Sequence, residues 1–270
     1  MRTGPFSDAA VVNIINRYFV AYHMDNTTWS EPRYGFVPGQ EHAYIIMETP
    51  EGIEPGVEKD LVILDRLGIV LDPKKVRLEL LGFLDKHPEL YHPLEEMVRL
   101  RSEDNPQSRL RLAELLLDEG QTAEALALID RSDSLSAASA VMKARAHRMD
   151  ADYTEAAAAL DTLAHNTPDK LAGDVKMERI RIAFEQNQDD EAAALLDTFL
   201  DRNVLPALGA EAHWLRGWLH YRAGHEERAI DTWSQGIERY PPAKALFSQK
   251  AYFTSIRLNW ELPDNVDQTY

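Results

Sequence analysis

Apolar residues at Ala10, Val11, Ile14 and Ile15 recur at helical spacing, and Ser7 or Asp8 offers an N-cap. The spacing predicts an amphipathic helix near the start of the chain. Aromatic and β-branched residues then dominate Tyr18 to Met24, which predicts a strand. His42 to Met47 (HAYIIM) predicts a second, followed by a Pro-Glu-Gly turn at 50–52, and Lys59 to Asp65 a third. The helical period returns over Lys74 to His87 and stops before Pro88, which cannot continue a helix. Tyr91 to Leu100 predicts a further helix.

Beyond Leu112 the pattern becomes a repeat. The clearest unit is Ala210 to Pro241, AEAHWLRGWLHYRAGHEERAIDTWSQGIERYP. Gly217 would let two antiparallel helices approach closely, and Gly224 suits the left-handed turn after a helix. Ala229 is small where the first helix crosses the second, Trp233 follows one turn later, and Pro241 closes the unit. Three looser copies precede it. Leu112, Ala113 and Leu116 lead to Gly120, then Ala125 and Ile129. Ala144 and Ala146 lead to Ala151, then Ala156, Leu160 and Pro168. Ile180 and Ala183 lead to Asn187, then Ala192 and Leu196. The turn positions Gly120, Ala151, Asn187 and Gly224 lie 31 to 37 residues apart. This pattern resembles the tetratricopeptide repeat, whose period is about 34 residues. A lone amphipathic hairpin cannot bury its apolar face, so stacking into an α-solenoid over residues 109–260 is expected. Ala243 to Trp260 would be a terminal helix covering the stack with Leu246, Phe247, Tyr252 and Ile256, and 261–270 a polar tail.

The N-terminal order helix, strand, strand, strand, helix, with the wording FSD…V…IN…FV…D, resembles the thioredoxin-like superfamily over about residues 6–90. The expected fold class is therefore α/β plus all-α: a degenerate thioredoxin-like module at 1–90, a connecting helix and linker at 91–108, and the repeats. In that resemblance the Cys-x-x-Cys motif is missing, and Glu41 in Gly39-Gln40-Glu41-His42 stands where the family carries a cis-proline. Thiol–disulfide exchange needs a thiolate, so the resemblance implies a redox-inert module with an open sheet edge that another strand could complete. The combination resembles the chaperedoxin architecture, which implies the holding of unfolded clients.

Composition narrows the chemistry. The chain of 270 residues carries a net charge of −16, which opposes binding to phosphate backbones. Nucleic acid is not expected as a partner. It has no cysteine, which excludes disulfides, thiolate catalysis and Cys-containing metal sites. No apolar run approaches a membrane span and the start lacks the pattern of a signal peptide, so a cytoplasmic protein is expected. Neither GxxxxGK[ST] nor GxGxxG occurs. His213 and His220 are two helical turns apart, too far to share an ion, and His225 lies beyond the turn. Glu41 and His42 are neighbours on a predicted strand and would point to opposite faces. No cofactor, metal or catalytic residue is expected.

A solenoid of this kind presents the first helix of each hairpin on its concave face. The resemblance places Arg145, Arg148, Met177, Arg181, Phe184, Trp214, Trp218, Tyr221 and Arg222 there. Arginine and aromatic residues are enriched at interface hot spots, so a groove for an acidic extended or helical peptide is expected. The alternative is that several of these aromatics pack between neighbouring repeats. The expected function is a non-catalytic protein-binding adaptor or holdase. Two other roles fit the same residues, a subunit of a thiol–disulfide system and a scaffold in a fixed complex.

Overall fold

The computed structural model describes residues 9–18, 45–48, 63–67, 73–86, 88, 91–132, 136–163, 167–200, 206–244 and 247. It divides into two compact units, Met1–Asp133 and Ser134–Tyr270.

In the first unit, α1 (Ala9–Tyr18) precedes a two-stranded antiparallel ladder of β1 (Ile45–Glu48) and β2 (Ile63–Leu67), with Ile45 opposite Leu67. Then come α2 (Pro73–Lys86), α3 (Glu95–Glu103), α4 (Pro106–Asp118) and α5 (Thr122–Asp130). The apolar stripe of α1 is buried against α2 in a cluster of Val11, Ile14, Val76, Leu80, Phe83 and Leu84. The polar end of α1 reaches the C-terminus of α4. Asn13 donates to the Asp118 carbonyl at 2.9 Å, and Arg17 pairs with the buried Glu119. Tyr91 stacks on Tyr18 with ring centroids 5.3 Å apart.

This arrangement overturns the expected α/β thioredoxin-like module. The described residues are overwhelmingly helical, and the sheet they hold is one short antiparallel ladder. An α/β module needs a central sheet to carry its helices. Here α1 buries its stripe on α2 and places Asn13 and Arg17 at the C-terminus of α4, where a helix leaves carbonyls unsatisfied and favours positive charge. The redox-inert module, its open sheet edge and the chaperedoxin architecture, expected from that fold, lose their basis. The strand expected over Tyr18 to Met24 lies outside the described residues except for Tyr18, which ends α1.

The 101–108 stretch holds the end of α3 and the start of α4. Only Asp104, left-handed at φ 37°, and Asn105 separate them. Asn105 caps α4 by accepting from the Ser108 amide at 2.9 Å, and Pro106 sets the first turn.

Among the described residues, the second unit stacks three hairpins. These are α6 (Ala137–Met149) with α7 (Tyr153–Asp161), α8 (Ala172–Glu185) with α9 (Asp189–Leu200), and α10 (Pro206–Arg222) with α11 (Glu226–Arg239). Ser136 caps α6 through the Ser139 amide at 3.1 Å. Gly120 and Gly224 turn at φ 72° and 77°, and Ala151 and Asn187 do the same at φ 60°. At all four turns the same pair of hydrogen bonds closes the helix. At α10, for instance, the Gly224 amide donates to the Tyr221 carbonyl at 3.1 Å and the His225 amide to the His220 carbonyl at 2.9 Å. That double closure satisfies carbonyls a helix end would otherwise leave bare. Of the terminal helix expected from Ala243 to Trp260, the described part includes Phe247, fully buried against Gly236.

Candidate functional site

The first helices of the three hairpins, α6, α8 and α10, are neighbours in the stack. Arg148 on α6 reaches across to α8, where its guanidinium pairs with both Glu178 and Glu185. Arg181, one turn on from Glu178, returns to the Glu178 carboxylate at 2.7 Å. It also grips Glu211 of α10 with two parallel bonds of 2.7 and 2.6 Å. The result is one continuous charge ladder, Glu185–Arg148–Glu178–Arg181–Glu211, crossing all three first helices.

Glu178 is its centre, with 1% of its side chain exposed. Burial would raise its carboxyl pKa, but the guanidiniums of Arg148 and Arg181 outweigh that and hold it below the usual carboxylate range. Arg148 and Arg181 stay charged for the reciprocal reason. Burial works against their charge and their carboxylate partners more than restore it. Glu185 and Glu211, at the two ends, are each 35% exposed.

Arg222 does different work at the far end of α10. Its guanidinium lies 3.7 Å from the ring centroid of Phe184 and donates to the Phe184 carbonyl from both terminal nitrogens at 3.1 and 3.2 Å. It also pairs with Asp189 at 2.6 Å. A cation is thereby set at the C-terminus of α8 and beside the first turn of α9, tying the third hairpin to the turn of the second.

The structure brings the sequence-predicted residues onto these first helices but gives them unequal exposure. Met177, Phe184, Trp214 and Trp218 are buried in the core of the second unit. Trp218 meets Trp214 and Trp233 edge-on, both at 5.9 Å, and Tyr221 at 5.4 Å. Arg145 and Tyr221 are half-buried. Arg148 and Arg181 belong to the ladder, and Arg222 to the clamp on Phe184.

The carboxylates Glu178, Glu185 and Glu211 were absent from the sequence-derived set. A signal for two of them exists. Arg148 and Glu178, and again Arg181 and Glu211, are opposite charges 30 residues apart, close to one repeat.

His213 is buried at the opposite side of α10, edge-on to Tyr240 with centroids 5.5 Å apart. Its Nδ1 has no hydrogen-bond partner among the described residues. Burial, then Arg239 and Arg216, lowers its pKa to about 4. No group of three or more His, Asp or Glu able to hold a metal ion occurs among the described residues.

A family model for the tetratricopeptide repeat matches residues 141–203 and, overlapping them, 177–244. These residues are tetratricopeptide repeats. The matched stretch runs from α6 through α11 and so contains the whole charge ladder, while the α4–α5 hairpin lies outside it. Tetratricopeptide repeats are protein-interaction modules, which stack to present extended binding surfaces. No curated protein matches the chain. No helix among the described residues is long and apolar enough to cross a membrane.

Proposed function

We propose that this protein is a non-catalytic adaptor that binds a polypeptide on the face formed by α6, α8 and α10. The observation that carries the proposal is the alignment of three first helices in consecutive tetratricopeptide hairpins, tied across the stack by one charge ladder. Such a face is held in shape before a partner arrives, which reduces the ordering cost of binding.

Arg145 and Tyr221, half-buried on the outer two of these helices, are the sequence-predicted residues outside the ladder and the Arg222 clamp that keep exposed surface, and Tyr221 also packs edge-on against Trp218. Met177, Phe184, Trp214 and Trp218 support the face from beneath. The acidic peptide expected from the arginines has weaker support, because Arg148 and Arg181 already face carboxylates of their own chain. The holdase role rested on the α/β resemblance and loses its support with it.

The test is site-specific photo-crosslinking in cells, with the full chain carrying the crosslinker at position 145, 221 or 155. Glu155 is exposed on α7, a second helix. Discrete protein adducts from 145 and 221, absent from 155, are the expected outcome. Adducts of equal pattern from all three positions, or none from 145 and 221, would reject the proposed face.

A further inference from the structure

The charge ladder has a property beyond lining a face: both of its arginines depend on one carboxylate. Glu178 gives one oxygen to Arg148 of the preceding hairpin and the other to Arg181, which carries the connection on to Glu211 of the following hairpin. Beyond the ladder, the hairpins touch through packing and through further charge contacts, the Arg222 clamp and the Arg179–Asp161 and Arg216–Asp197 pairs, and the two junctions are unequal. The α6–α7 hairpin shares with α8 an aliphatic core, without aromatic side chains among its buried residues, built from Ala144, Ala156, Leu160, Leu163, Val175 and Ile182. The junction between the second and third hairpins is instead filled by Phe184, Phe199, Trp214 and Trp218, and is closed by the Arg222 clamp.

We infer that Glu178 is a built-in coupling device, through which the α6–α7 hairpin opens and closes together with the two hairpins that follow it. In repeat proteins, cooperativity resides in the interfaces between units rather than within them. A buried ion pair that loses one member leaves an uncompensated charge in the interior. Removing the Glu178 charge takes the one fully buried carboxylate of the ladder from both Arg148 and Arg181 at once. Arg181 keeps its bidentate grip on Glu211, so the second and third hairpins stay joined. Arg148 keeps only Glu185, which is partly solvated, so the weaker junction is the one that parts. The charged groups facing Glu178 are Arg148 on α6 and Arg181 on α8, which in turn pair with Glu185 on α8 and Glu211 on α10. The inference concerns coupling between hairpins and stands whether or not the proposed face binds a partner.

Native-state hydrogen exchange on the full chain, read by mass spectrometry peptide by peptide, tests it. In the unmodified protein the slowest amides of α6–α7, α8–α9 and α10–α11 should share one opening equilibrium. Glu178→Gln should speed exchange in α6 and α7 by on the order of a hundredfold, with a much smaller change in α10 and α11. Arg148→Met removes the same junction while leaving Glu178 paired with Arg181, and should give the same segregated pattern if Glu178→Gln does not fold. Arg179→Met breaks the surface pair with Asp161 between α7 and α8 and should leave the shared equilibrium intact. A uniform loss across all three hairpins, no loss in either ladder variant, or the same segregation from Arg179→Met would overturn the inference.

Discussion

Gly217 and Trp233 occupy adjoining space so closely that a methyl group on Gly217 would lie 2.1 Å from the indole nitrogen of Trp233. The indole, fully buried, lies across α10 and donates to the Trp214 carbonyl at 3.2 Å. A glycine inside a helix is ordinarily unfavourable by up to about 1 kcal/mol relative to alanine. Here it is the condition for the α10–α11 hairpin to close over the fully buried Trp233.

Gly217→Ala should therefore destabilise the second unit, by about 1–3 kcal/mol of overpacking less the gain in helix propensity. Denaturant unfolding followed by tryptophan fluorescence measures it. Gly217→Ala combined with Trp233→Leu should be less harmful than the sum of the two single changes, because the truncated side chain makes room for the methyl group. Strict additivity would show that the clash does not control the packing.

The left-handed turns make a prediction in the opposite direction. Ala151 holds φ 60° without being glycine, a conformation that costs an L-residue roughly 1–2 kcal/mol. Ala151→Gly should stabilise the chain by about 1 kcal/mol, after the entropy glycine loses on folding. Gly224→Ala, with open space around its Cβ position, should cost a similar amount. Gly120→Ala should cost more, because the new methyl would also meet the Arg77 side chain at 2.1 Å. Thermal unfolding of the three variants gives the order directly.

Arg222→Lys should be poorly tolerated although charge is conserved. Lysine cannot stack flat on Phe184 while donating to both its carbonyl and Asp189. A loss of about 1–3 kcal/mol is expected, with Arg222→Met losing at least as much. Equal stability of the lysine variant and the parent would mean that charge alone acts there.

His213 sets a pH dependence whose sign can be worked out. Its folded pKa of about 4 lies below its ordinary 6.5. Between those values the unfolded chain binds a proton that the folded chain refuses, so stability rises with pH. The contribution is complete above about 6.5 and is lost progressively as pH falls toward about 4. His213→Phe should flatten the stability profile in that window. Below it, protonation of Glu178 would remove the charge that Arg148 and Arg181 require, and His213→Phe should leave that steeper acid loss in place.

The periodic part of this protein is legible in its residues alone. The four turn positions, Gly120, Ala151, Asn187 and Gly224, could be read from spacing and small residues because each is a local device, closed by hydrogen bonds a few residues away. Gly217 and Ala229 were legible for a related reason, since tight approach of two adjacent helices leaves a mark in side-chain size. The N-terminal helices α1 and α2 and the strands β1 and β2 were legible in outline, but the module they build was not. Short aromatic and β-branched runs suit a half-buried surface of several kinds, and only the packing of Val11 and Ile14 on α2, with Arg17 on Glu119, decided that α1 serves a helical assembly. The ladder was likewise settled by tertiary structure. Arg148 and Arg181 read as free cations on a groove until Glu178 and Glu211, 30 residues along the chain from each, were brought beside them. Local periodicity tells which side of a helix is apolar; it does not tell which charges on that helix meet a partner from the next repeat, because that depends on how the hairpins stack.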